Sequence, residues 1–75
     1  SPITVHPNPV HDLLVISGAG PSASTIRLHD LAGALVMQMR FEPNINLAGL
    51  AAGAYVLEVC DRQGGVLGRS TILRH

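Results

Sequence analysis

No lysine and no tryptophan occur in this chain, and Phe41 and Tyr55 are its two aromatic residues. A core with so few rings must be built from Leu, Val, Ile and Ala. The five basic residues are all Arg, and five acidic residues balance them to a formal net charge of zero. That balance offers no basic patch to hold phosphates, which argues against nucleic acid as a partner. A single cysteine, Cys60, excludes an internal disulfide, so the fold must hold without a staple in any redox compartment. No apolar run approaches the ~20 residues of a membrane helix. No signal peptide opens the chain either, although Ser1-Pro2 reads as the arbitrary start of a fragment.

What is present suits one small domain. Of the 75 residues, 47% are hydrophobic and 13% charged, a balance that favours a packed core over disorder. A chain of this size buries only about 60% of its unfolded surface. Its most strongly specified stretch is Asn46 to Val59. The run Asn46-Leu47-Ala48-Gly49-Leu50-Ala51-Ala52-Gly53 holds two glycines among small residues and reads as a corner rather than a helix. Leu47 and Leu50 can fold beneath it and plug the end of a core. From Ala54 to Cys60 the side chains alternate, with Tyr55, Leu57 and Val59 inward and Ala54, Val56, Glu58 and Cys60 outward, the mark of a half-buried strand. Gly53 fits a backbone position that needs positive φ or a close approach. Tyr55, starting a strand after such a corner, can bury its ring and tie its hydroxyl to nearby backbone.

The rest reads as strands between turns. Ile3 to His6 is a short β-prone piece stopped by Pro7-Asn8-Pro9, a rigid turn. Asp12 to Ser17 is apolar on both parities; with Leu14 and Ile16 inward, Leu13 and Val15 face outward and offer a surface for a partner or for self-association. Thr25 to His29 places Ile26 and Leu28 inward. Asp30-Leu31-Ala32-Gly33 makes a tight connection, with Asp30 capping the turn and Gly33 permitting it. Ala34 to Arg40 is its hairpin partner, with Leu35, Met37, Met39 and Phe41 inward and Val36 breaking the pattern. Ile45 to Leu47 leads into the corner, Asp61 to Gly65 is a hairpin turn, and Val66 to Leu73 is the last strand. Short strands with turn signals every eight to twelve residues predict a small immunoglobulin-like antiparallel β-sandwich of about seven strands, without a helix at 47–54.

Chemistry has few footholds. His6, His11 and Asp12 lie around the proline turn, but their spacing matches no structural zinc pattern. Cys60 with His29 would be needed for a thiol nucleophile, yet the outward parity of Cys60 leaves it a lone, partly covered thiol with no base beside it. Asp12 and Asp30 are single carboxylates at turns, not a catalytic pair. Gly18-Ala19-Gly20 and Gly64-Gly65 precede no helix and cradle no phosphate. The residues therefore predict no catalytic group, no cofactor and no metal.

Three segments carry a resemblance. His6-Pro7-Asn8-Pro9-Val10 followed by Asp12 to Ile16, then Ile26 to Gly33 with Val36, then Asn46 to Val59, resemble in order and spacing the motifs of the type IX secretion system C-terminal sorting domains, type A. His29 stands where that family usually has an aromatic residue, Ala51 where it usually has Pro, and Arg74 where it usually has Lys. The resemblance implies that residues 1–75 form a single signal domain closing a longer secreted precursor, with a cargo domain on its N-terminal side. It implies a non-catalytic role, with the translocon, an outer-membrane shuttle protein and a sortase as partners. The sortase would usually cleave upstream, and the route would run through the periplasm to the outer membrane, cell surface or exterior. It points to Pro7, Asn8, Pro9, Asp30, Gly33, Leu50, Gly53, Tyr55, Arg74 and His75 as motif residues, with the export information in the C-terminal half, from the Gly49–Tyr55 corner to the end. The competing expectation, an immunoglobulin-like accessory module for carbohydrate binding or adhesion, calls for exposed aromatics or a calcium-ligand cluster.

Overall fold

A computed structural model describes residues 3–7 and 11–75. Seven strands follow in order: β1 (Thr4–His6), β2 (Leu13–Ser17), β3 (Thr25–Asp30), β4 (Leu35–Arg40), β5 (Asn44–Asn46), β6 (Gly53–Cys60) and β7 (Val66–Arg74). They form two antiparallel sheets, one of order β1-β2-β5 and one of order β4-β3-β6-β7. The described residues contain no helix, and so none long and apolar enough to cross a membrane. Residues 47–54, rich in Ala and Leu, form the expected corner: turn at 48–49, then bend, then the start of β6.

The alternation read from the sequence sets the core. Leu14 and Ile16 from the smaller sheet meet Ile26, Leu28, Tyr55, Leu57 and Val59 from the larger one, all buried. The corner adds Leu47, fully buried, with Leu50 packed half-buried against the cluster. Ile45 and Ile72 complete the two layers. Outside any strand, Ile3 is also buried, and the reason lies across the sandwich. A Cβ on Gly68 of β7 would stand 2.7 Å from Ile3 Cγ2, so the glycine leaves the notch that seats the isoleucine and closes β1 over β7.

Two residues depart from the sequence reading, Leu35 beside a register shift on its own strand and Cys60 opposite one on β7. Between Leu28 and His29 the β3–β4 ladder slips: Leu28 faces Met37 but His29 faces Leu35, with Val36 as the extra residue. Met37 and Met39 pack against the core as expected, whereas Leu35, expected inward, is 51% exposed. An inserted residue breaks the two-residue period beyond it. A second shift, between Val59 and Cys60, sets Gly68 opposite Val59 and Val66 opposite Cys60. Cys60, expected outward and partly covered, is instead 1% exposed. Its thiol lies at the far end of the larger sheet from His29: Cys60 pairs with Thr25, while His29 pairs with Val56.

Leu57 lies on β6, a central strand of the larger sheet, and its side chain is fully buried. Leu57→Ala is expected to cost about 2–5 kcal/mol, the usual range for a core leucine truncation, a large share of so small a domain's stability. Urea unfolding followed by circular dichroism measures it; a loss below about 1 kcal/mol would contradict this core.

Candidate recognition site

The segments carrying the sequence motifs converge at one end of the sandwich. In the smaller sheet, the end of β1 and the start of β2 lie beside the end of β5, with His6 opposite Val15 and Leu13 opposite Asn46. In the larger sheet, Asp30 pairs with Tyr55 and Gly53 with Arg74. The corner from Leu47 to Ala52 connects the two groups.

Arg74 ties this end together. Its Nε donates to Leu47 O at 2.7 Å, and its Nη2 donates to Ala48 O at 3.1 Å while standing 3.5 Å from Asp12 Oδ1. Leu47 N in turn donates to Asp12 O at 2.6 Å. The Arg74 side chain is only 11% exposed, while that of Asp12 is 69% exposed. The guanidinium therefore serves chiefly to satisfy carbonyls that the corner turns away from any ladder. The next residue, His75, stacks its ring on that of His11, with centroids 4.9 Å apart and planes inclined by 22°.

The corner is closed from within as well. Tyr55 buries its ring, and its hydroxyl donates to Ala51 O at 2.6 Å, the backbone tie expected from the sequence. Asn46 Oδ1 accepts from Ala48 N at 2.9 Å. Gly53 has φ of +154°, a conformation side chains rarely adopt, yet nothing stands within 4 Å of where a Cβ would be. The requirement for glycine here is one of backbone shape, not of space.

Asp30 and Gly33 are turn makers. Asp30 Oδ1 accepts from Ala32 N and Ala34 N at 3.0 and 2.9 Å, and Gly33 takes φ of +93°. Asp61 and Gly64 repeat the arrangement at the other end: Asp61 Oδ1 accepts from Gln63 N and Gly65 N at 3.0 and 2.8 Å, with Gly64 at φ of +87°. Pro7 is exposed, and Asn8 and Pro9 lie outside the described residues. Leu13 is 59% exposed and Val15 half-buried on the outer face of the smaller sheet, Leu13 at the motif-bearing end.

No group of three His, Cys, Asp or Glu residues suited to a metal ion occurs among the described residues. One titratable network lies on the outer face of the larger sheet. Glu58 accepts from Arg69 Nη2 at 2.7 Å and Nε at 3.0 Å, and its other oxygen lies 3.2 Å from His29 Nε2. The Arg69 hydrogen bond holds the Glu58 carboxyl below its usual range; partial burial opposes that and the His29 contact assists it. Sequence alternation sets Glu58 outside the core, but does not reveal this pairing.

A family model for the secretion system C-terminal sorting domain matches residues 4–73. The chain belongs to that family. Its members are sorting signals of type IX secretion and generally non-catalytic, and the cargo of that system is delivered to the cell surface or outside the cell. No curated protein and no solved structure matches the chain significantly.

Two outcomes follow for the site. Tyr55→Phe removes the hydroxyl and leaves Ala51 O without that donor; the expected loss is about 0.5–1.5 kcal/mol, read from urea midpoints. Glu58, with its folded pKa below 4.5, contributes stability that is present above that value and is lost as pH falls through the folded pKa. Glu58→Gln is therefore expected to be less stable than the native chain at neutral pH, with the gap narrowing below pH 4.5. Because Arg69 is 61% exposed, the effect is expected to stay under about 1 kcal/mol and to shrink with salt. A gap constant with pH would contradict the pairing.

Proposed function

We propose that this chain is the non-catalytic export signal at the C-terminal side of a longer secreted precursor. It directs its attached cargo domain across the outer membrane through the type IX translocon. An outer-membrane shuttle protein receives it, and a sortase cleaves upstream and leaves the cargo at the surface. The observation that carries this reading is the gathering of family-like segments around Arg74 at one end of the sandwich. A translocon must tell cargo from other periplasmic proteins by a surface held in a fixed place. Here His11, Asp12, Leu13 and His75 are exposed on a pole made rigid by Arg74 and Tyr55. Asp30, Gly33, Gly53 and Tyr55 act beneath that surface by shaping the turns, and Leu50 by filling the corner.

The test fuses the chain to a reporter bearing a periplasmic signal, in a host with type IX secretion. Cys60→Ser is expected to export normally, and so is Arg74→Lys, since the family usually carries Lys there. Removal of Arg74 and His75 is expected to strand reporter in the periplasm, and Gly53→Val to reduce export together with stability. His75→Ala, which leaves the Arg74 contacts in place, separates signal from fold: reduced export with an unchanged melting temperature supports the reading. Normal export after the two-residue deletion would show that the terminus carries no signal.

A further inference from the structure

At the opposite end of the larger sheet, where Thr25 pairs with both Arg40 and Cys60, the surface opens into a cleft of about 800 Å³. Zero net charge does not keep the arginines evenly spread. Arg69 is engaged by Glu58, Arg74 by the corner, and Arg27 lies on β3 outside this cleft; Arg40 and Arg62 both line it and have no ion pair or side-chain hydrogen bond among the described residues. Asp61 is the one acid lining it. Its Oδ1 is occupied by two backbone amides of its own turn, so it fixes the loop that carries Arg62 rather than neutralising both guanidiniums.

The other lining groups select the kind of anion. Ser24, Thr25 and Gln63 bring hydroxyl and amide groups with no side-chain partner among the described residues, and Phe41, half-buried against the core, adds an aromatic ring to the lining. Arginines fit oxyanions through paired N–H donors. Hydroxyls and amides beside a ring suit a ligand that is polar at its edges and carries C–H groups on its face. We propose that this cleft binds an oxyanion-bearing polyol of about monosaccharide size, a sugar carboxylate or sugar phosphate, with Arg40 and Arg62 on the oxyanion and Ser24, Thr25 and Gln63 on the hydroxyls. This site lies at the other end of the sandwich from the export pole and does not depend on it.

The probes are glucuronate, glucose 6-phosphate, glucose, acetate and inorganic phosphate, titrated into the isotopically labelled chain and followed by amide chemical shifts. At least one of the two charged sugars is expected to move the amides of Ser24, Thr25 and Gln63 saturably, and the comparison between them identifies the oxyanion. Arg40→Gln and Arg62→Gln are each expected to weaken binding on the order of tenfold. Arg69→Gln, outside the cleft, should leave binding unchanged, and so should His75→Ala at the opposite pole, whatever that variant does to export. Equal binding of glucose would overturn the role of the arginines, and equal binding of acetate or inorganic phosphate the role of the hydroxyl-bearing groups. Absence of saturable shifts at these amides with either charged sugar would overturn the site.

Discussion

A sandwich of seven short strands, without a disulfide, must turn its chain from one sheet to the other without leaving backbone groups unpaired. Here the demanding crossing is the corner from β5 to β6, where Leu47, Ala48 and Ala51 present carbonyls outside any ladder. Two side chains from the larger sheet reach those carbonyls: Tyr55 from the start of β6 and Arg74 from the end of β7. Leu47 O also accepts from Leu50 N, and Ala48 and Ala51 are exposed, so these bonds fix the path of the corner over the buried Leu47 and Tyr55 more than they rescue buried carbonyls. Because Arg74 also stands by Asp12, the start of β2 is held in the same knot. The end of the sandwich that bears the motifs is thus a consequence of one backbone constraint.

Both DxxG hairpins illustrate how a motif can be shape rather than signal. Asp30 with Gly33 and Asp61 with Gly64 make the same two side-chain-to-amide bonds and the same positive-φ glycine, one at each end of the larger sheet. Only the first falls within the family-like segments singled out in the sequence. An Asp that caps two amides has its oxygen committed, and the glycine answers a backbone need. Their presence in the motif is accounted for by folding alone.

Much of this was legible before any coordinates. Period-two alternation identified the inward residues of β2, β3 and β6, and the glycines of the corner argued correctly against a helix. The two departures differ in kind. Leu35 lies beyond the residue that Val36 inserts into β4, so counting in twos gives it the wrong face. Cys60 keeps its parity, because the extra residue is Leu67 on β7 and the β3–β6 ladder passes through Cys60 without a shift; what differs is that this face is covered there, which alternation does not report. Val36 breaks the pattern on β4, whereas nothing on β6 marks Cys60 as covered. Ile3 was invisible for another reason. Its burial depends on Gly68, sixty-five positions away in the chain, and a glycine notch across a sandwich has no local signature. The Arg74 contacts likewise join residues distant in sequence, so the sequence could suggest the importance of the terminus but not its geometry.

This division between shape and surface bears on where recognition can reside. Tyr55, Gly53, Asp30 and Gly33 are occupied in building the pole, and Arg74 is nine-tenths covered in doing so. A partner that reads side chains meets what these residues leave outside, which includes Pro7, the His11–His75 stack, the Asp12 carboxylate, Leu13 and Leu31. The family-like segments therefore hold both kinds of residue, builders of the pole and side chains displayed on it. Under the proposed reading the scaffold still matters, because loss of the Arg74 side chain or of the Gly53 backbone shape would move the exposed groups without touching a partner. Loss of export after such a change is by itself uninformative about contact. Exposed positions whose side chains hold no part of the corner, such as His75, whose ring only stacks on His11, best separate recognition from folding.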